Sequence, residues 1–112
     1  MRLMQELLNA LGMAASANKL VSGETLFKKI TKSKICLVLT VSDMGQSQLK
    51  KINDKCKFYE VEIFNGLFDT DELNKAIGKD NVKAIGIEDR NFKKLILSKI
   101  SKGDVDYGKT NK

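Results

Sequence analysis

The chain has 112 residues, 42% hydrophobic and 30% charged, with a formal net charge of +6, no histidine and no proline. That length fits one domain with a core of its own, without staples. The apolar runs are far short of a membrane span and no signal-peptide pattern opens the chain, so a cytoplasmic protein is expected.

Residues 2–14 read as a helix, because Leu3, Leu7, Leu8 and Leu11 recur at spacings that make one apolar stripe. Ala14, Ala15 and Ala17 lead to the stretch KLVSGETLFKKITKSK, residues 19–34, around which the rest is organised. Leu20 and Val21 fit a clipped strand, Ser22 sits at a helix N-cap position, and Gly23 and Glu24 follow in the first turn. The helix that begins there has an apolar side, Leu26, Phe27 and Ile30, and a lysine side, Lys28, Lys29 and Lys32. Ile35–Val41 is a nearly continuous apolar, β-branched run, as expected of a strand covered on both faces. Ser42, Asp43 and Gly45 turn into a helix over 46–55 that buries Leu49 and Ile52.

Residues 58–64, FYEVEIF, alternate with a period of two and predict a strand nearer the edge, with one wetter face. Asn65 to Thr70 is expected as a loop. Asp69 and Glu72 then have the spacing of a capping box, Leu73, Ala76 and Ile77 face inward, and Gly78 ends the helix. Residues 82–87 predict a further strand, whose Ala84 and Gly86 admit a closely packed helix. Asp89 caps a last helix with Phe92, Leu95, Ile96 and Ile100 inward. Helices alternating with strands predict an α/β fold, a single-domain three-layer α/β/α sandwich with a small central mixed sheet. It spans residues 1–102, with a flexible polar tail over 103–112.

The charge is localised. Residues 19–57 hold nine lysines against three acids, a surplus of +6, whereas 58–112 balance ten basic against ten acidic side chains. A basic region of this kind suits a polyanionic partner, although most lysine-rich faces are simply solvated. A helix start carries unpaired N–H groups and partial positive charge, so Gly23 beside these lysines predicts docking of a folded RNA. Glu24 can accept hydrogen bonds from a guanine edge, Thr25 can donate or accept at a base, and Lys28 or Lys29 can reach phosphate or guanine O6 and N7. Each also has an ordinary structural role open to it, Glu24 as a first-turn helix stabiliser. Leu67 and Phe68 form a second candidate surface, where apolar side chains could pack under an extruded base. For Phe68 a hydrophobic staple onto Leu73 is the favoured reading.

Little else carries chemistry. There is no G-x-S-x-G elbow, P-loop or dinucleotide fingerprint, and no enzyme, cofactor or metal site is expected. Asp43 and the pair Glu88–Asp89 fall after strands, where carboxylates could hold magnesium, but capping and turn formation account for them. Cys36 and Cys56 lack a C-x-x-C spacing and read as buried or half-buried free thiols.

The segments LLNALGMAASANKLVSGE (7–24), SKICLVLTVSD (33–43), KKINDKCKFYEV (50–61), LNKAIGKD (73–80) and VKAIGIEDRNFKKL (82–95) occur in an order that resembles a known family. It is the kink-turn-binding ribosomal protein family of the archaeal L-seven-Ae type, and more closely its bacterial YlxQ-like branch. The resemblance implies a three-layer sandwich that binds a sharply bent RNA with tandem sheared G·A pairs. It implies that Gly23, Glu24 and Thr25 read the guanines, with a lysine one turn on matching Lys28 or Lys29. It also implies that Asp43 and the loop Leu67–Asp69 adjoin the site. Many kink-turn binders read Gly-x-Asn-Glu where this chain has Gly23-Glu24-Thr25-Leu26, and residues 23–37 are one residue shorter than expected. The expected site is therefore Lys19, Ser22, Gly23, Glu24, Thr25, Lys28, Lys29, Lys32, Asp43, Leu67, Phe68 and Asp69, in a monomer that takes structured RNA and works at or near the ribosome. The alternative is a ribosome- or assembly-associated protein-interaction module with incidental RNA contact.

Overall fold

The computed structural model describes residues 2–103, with side chains described over 4–100. The elements run α1 (Arg2–Ser16), β1 (Leu20–Ser22), α2 (Gly23–Thr31), β2 (Leu37–Val41), α3 (Gln46–Phe58), β3 (Glu62–Phe68), α4 (Thr70–Ile77), β4 (Ala84–Ile87) and α5 (Arg90–Gly103). The sheet order is β1-β4-β2-β3. β4 is antiparallel to both neighbours, and β2 is parallel to the edge strand β3. All five residues of β2 are buried, as a central strand covered on both faces requires.

Alternation along β2 and β4 divides the core in two. Leu37, Leu39, Val41, Ile85 and Ile87 pack with Leu7, Leu11 and Ala14 of α1, Leu73 and Ile77 of α4, and Ile96 and Ile100 of α5. Val38 lies on the other side with Leu26 and Ile30 of α2 and Ile52 and Cys56 of α3. Three helices cover one face and two the other, which is the α/β/α sandwich. Gly86 is where α2 comes closest to the sheet, since a Cβ built there would lie 2.3 Å from Leu26 Cδ1.

Several boundaries move. α1 continues through the alanines to Ser16, and α3 runs to Phe58 rather than stopping at 55. Residues 58–61 are therefore not strand, and β3 begins at Glu62. Tyr59 is the C-cap of α3, and Glu60 follows at φ 58°. The Glu60 N–H bonds Lys57 O at 3.3 Å and the Val61 N–H bonds Cys56 O at 2.8 Å, a Schellman closure without glycine. The loop expected over 65–70 is also corrected. Asn65–Phe68 belong to β3, but Thr40 pairs with Asn65 while Val41 pairs with Phe68, so Gly66 and Leu67 bulge out of the ladder. Gly66 has φ 72°, the left-handed turn that permits this.

The Asp69–Glu72 capping box is present, with Glu72 N–H donating to Asp69 Oδ1 at 2.8 Å and Asp69 N–H to Glu72 Oε1 at 2.9 Å. Asp89 accepts from Asn91 N–H at 2.7 Å and caps α5. Both cysteines are free; burial raises the Cys36 thiol and pushes Cys56 up to about 11, so neither is a ready thiolate. The expected tail lies outside the described residues apart from Gly103, which ends α5, and the Leu3 side chain lies outside them as well.

Candidate nucleic-acid interface

Ser22 pairs with Ile85 as the last residue of β1, and the chain turns at once into α2. Gly23 makes that turn at φ 65°, where a side chain would be strained although a Cβ would meet nothing within 4 Å. The glycine serves the backbone turn and leaves the helix start open. Ser22 stands at the N-cap in extended backbone, but its hydroxyl makes no capping bond. Gly45 holds the same position for α3 and has no side chain to cap with. α4 and α5, in contrast, begin under the carboxylates of Asp69 and Asp89.

α2 and α3, whose N-caps make no side-chain bond, flank one cleft of about 310 Å³. Ser22, Gly23 and Phe27 line it from the α2 side, Met44, Gln48 and Lys51 from the α3 side, and Asn81–Ala84 from the approach to β4. Glu24, Thr25 and Lys28 are exposed on the first turns of α2. The site therefore offers N–H donors, a carboxylate, a hydroxyl and lysines around an apolar-floored notch. That combination can hold a flat base by its edge while cations take the phosphates.

The lysines of the α2 face divide into two groups. Lys29 is paired with Glu88, and Lys19 lies 3.9 Å from Asp89, so both are drawn to the β4–α5 connection. Lys28 and Lys32 are exposed and form no ion pair among the described residues. Partly exposed ion pairs contribute little stability. The Lys29 pair joins α2 to the β4–α5 connection.

Asp43 is not at the cleft itself. Its Oδ1 accepts from Thr70 N–H at 2.9 Å and from Thr70 Oγ1 at 2.8 Å, tying the turn after β2 to the start of α4. Lys83, which lines the cleft, donates to the same Thr70 hydroxyl at 3.1 Å. The Thr70 hydroxyl first, then backbone N–H groups and the Lys83 charge, hold the Asp43 carboxyl below its ordinary value. A lowered carboxyl contributes stability that is complete above its ordinary range and fades as pH falls through the lowered value. Thr70→Val should raise the Asp43 midpoint in a carboxyl-carbon NMR titration. An unmoved midpoint would assign the depression to the backbone groups instead.

Leu67 and Phe68 are not brought to this surface. Phe68 is 2% exposed, in the same cluster as Leu73, in keeping with the staple. Leu67 is half-buried against that cluster, on the face opposite α2 and α3. Alternation had placed both in a loop because the bulge interrupts the strand pattern. Phe27, Lys51 and Lys83 line the cleft but are absent from the expected set; Lys83 sits in the charge-balanced part of the chain, where no local excess draws notice. Among the described residues no group of three or more histidine, cysteine or acidic side chains could hold a metal ion, and no helix is long and apolar enough to cross a membrane.

The fold and cleft define a class: a small α/β/α sandwich with an open, lysine-flanked helix start after its edge strand β1. Comparison with known proteins gives the family. The chain is 37% identical over 91 residues to "RNA-binding protein YlxQ" of Enterococcus faecium, covering 80% of this chain and 86% of that protein. It is 34% identical over 89 residues to the protein of the same name in Bacillus subtilis (strain 168), covering 79% and 88%. The chain belongs to the YlxQ family, whose two matched members are named RNA-binding proteins. Among solved structures, a protein of unknown function from Bacillus halodurans C superposes with a TM-score of 0.80 at 32% identity, covering 86% of this chain and 97% of that one. The Giardia lamblia 15.5kD RNA binding protein superposes at 0.71 with 18% identity, covering 91% and 88%, and so shares the fold. No protein-family model matches the chain.

Proposed function

We propose that this protein binds structured RNA, a kink-turn-like element of ribosomal or regulatory RNA, at the start of α2. One observation carries the reading: an uncapped, glycine-led helix start opens on a cleft of about 310 Å³ beside exposed lysines, in a chain whose relatives are named for RNA binding. In this reading the first-turn N–H groups and Glu24 take the guanine edges of the sheared pairs, and Thr25 adds a hydroxyl. Lys28 reaches phosphate or the guanine major-groove edge more readily than Lys29, which Glu88 holds. Lys32, Lys51 and Lys83 add charge around the RNA. The protein acts as a monomer in the cytoplasm, at or near the ribosome.

The test compares a hairpin carrying a kink-turn with the same hairpin whose tandem G·A pairs are replaced by Watson–Crick pairs. The kink-turn should bind at least about tenfold tighter, the factor expected from one well-made base contact. Glu24→Ala should cost about 1.5 kcal/mol on the kink-turn and much less on the control. Equal affinities for the two hairpins would remove the G·A reading and leave shape-blind RNA binding. The protein-interaction alternative has its own surface, a groove of about 820 Å³ between α1 and α4 lined by Met4, Leu8, Gly12 and Ala76. Failure to bind either hairpin would favour it.

A further inference from the structure

The basic region does not end at the cleft. Phe27, on the cleft's α2 wall, lies under two lysines of α3: Lys51 Nζ is 5.8 Å and Lys55 Nζ 6.0 Å from its ring centre. Lys55 is also 5.9 Å from the ring of Tyr59, and Tyr59 meets Phe58 edge-to-face at 4.9 Å between centres. Phe58 itself is 77% exposed, at the last turn of α3 beside the exposed Lys57. None of Lys51, Lys55 and Lys57 forms an ion pair among the described residues. Aromatic rings and unpaired cations thus alternate in one strip, from the cleft along α3 to its C-terminal end.

An exposed phenylalanine that only closed a helix could be any polar residue, because Tyr59 and Val61 already pack against the core on this side. We propose that this strip is a second RNA contact, for a single-stranded segment that leaves the structured element held at Gly23. One unpaired base stacks on Phe58, and Lys51 and Lys55 take the phosphates along the way. From Lys51 to Phe58 is about 10 Å along the helix axis, seven residues at about 1.5 Å each, so the segment is only a few nucleotides. The occupant is single-stranded because a duplex already stacks its bases on one another, and a ring gains nothing by approaching its outside. The lysines make it a polyanion, which sets it apart from an apolar protein face.

This rests on the RNA-binding reading but not on recognition of G·A pairs, and the experiment keeps the two apart. The sequence has no tryptophan, so Phe58→Trp installs a single tryptophan, excited apart from the tyrosines, at the stacking position. The probes are a blunt kink-turn hairpin, the same hairpin with six uridines added to its 5′ or its 3′ end, and a free uridine oligonucleotide. For the unmodified protein, one extension should raise affinity about tenfold over the blunt hairpin, the scale of one stacked base. Phe58→Ala should abolish that gain and leave the blunt affinity unchanged, since its side chain is outside the cleft. Phe58→Trp should keep the gain, and its fluorescence should be quenched by the extended hairpin and not by the blunt one. If the blunt hairpin binds no tighter than its Watson–Crick control but the free oligonucleotide quenches Phe58→Trp, the strip stands without the kink-turn. Equal affinities for blunt and extended hairpins, or a gain that survives Phe58→Ala, would overturn it. So would a Phe58→Trp signal that none of these RNA probes moves.

Discussion

Gly86→Val should lower the stability of the fold by about 3 kcal/mol, the upper end of what overpacking a core costs. Gly86 pairs with Val38 on one side and Val21 on the other, so its strand is fixed by both neighbours. A Cβ there would sit 2.3 Å from Leu26 Cδ1 and 3.2 Å from two atoms of Ile35. Leu26 is 1% exposed and Ile35 5%, so neither side chain has open space to retreat into. The strain must pass to α2, and Leu26 lies three residues after Gly23. The variant should therefore lose RNA affinity along with stability, although position 86 is buried beneath α2. Gly78→Ala is the control, because its added Cβ meets nothing within 4 Å and only the φ of 70° is strained; it should cost about 1 kcal/mol. Denaturant midpoints at constant slope give both numbers. If Gly86→Val costs no more than Gly78→Ala, the close approach of α2 does not position the site.

The same glycine shows what could be read from the chain alone. A small residue at alternate positions of a buried strand needs a neighbour that comes close, and Leu26 is that neighbour. Continuous apolar character in β2 and the carboxylate spacing at Asp69 and Glu72 are equally local, and each led to the observed element. The failures share a physical cause. α1, α2 and α3 end through left-handed Asn18, Ser33 and Glu60, where the usual signal is glycine. Without it, α3 had no visible end and FYEVEIF passed for a strand. The bulge at Gly66–Leu67 concealed the second half of β3, because an inserted residue breaks a period of two. Site residues from distant segments were hidden for another reason. Lys51 and Lys83 reach the cleft only through the sheet order β1-β4-β2-β3, which no local pattern encodes. Nor does spacing indicate that Lys29 is held by Glu88, 59 residues away.

Asn74→Ala should be as costly as Gly86→Val, about 3 kcal/mol, through lost hydrogen bonds instead of overlap. Asn74 is 9% exposed on α4 and bridges to the segment that precedes β4. Its Nδ2 donates to Val82 O at 2.9 Å and to Thr70 O at 2.7 Å, and its Oδ1 accepts from Val82 N–H at 3.0 Å. Both polar groups of the Val82 backbone thus depend on one side chain, one residue before Lys83 O accepts the Val41 N–H at 3.0 Å. Removing it leaves a half-buried N–H and C=O unpaired, at about 1–3 kcal/mol each before water enters. Asn74→Asp should do no better, since it keeps the acceptor but turns lone pairs towards two carbonyl oxygens. The consequence reaches the site because Asn81, Val82 and Lys83 form one wall of the cleft beside Gly23. Hydrogen exchange should speed up at Val82 in both variants while β2 stays protected, and affinity for the kink-turn hairpin should fall at temperatures where the protein is still folded. An unchanged affinity in folded Asn74→Ala would mean that this wall does not touch the RNA, and the interface would then be confined to α2 and α3.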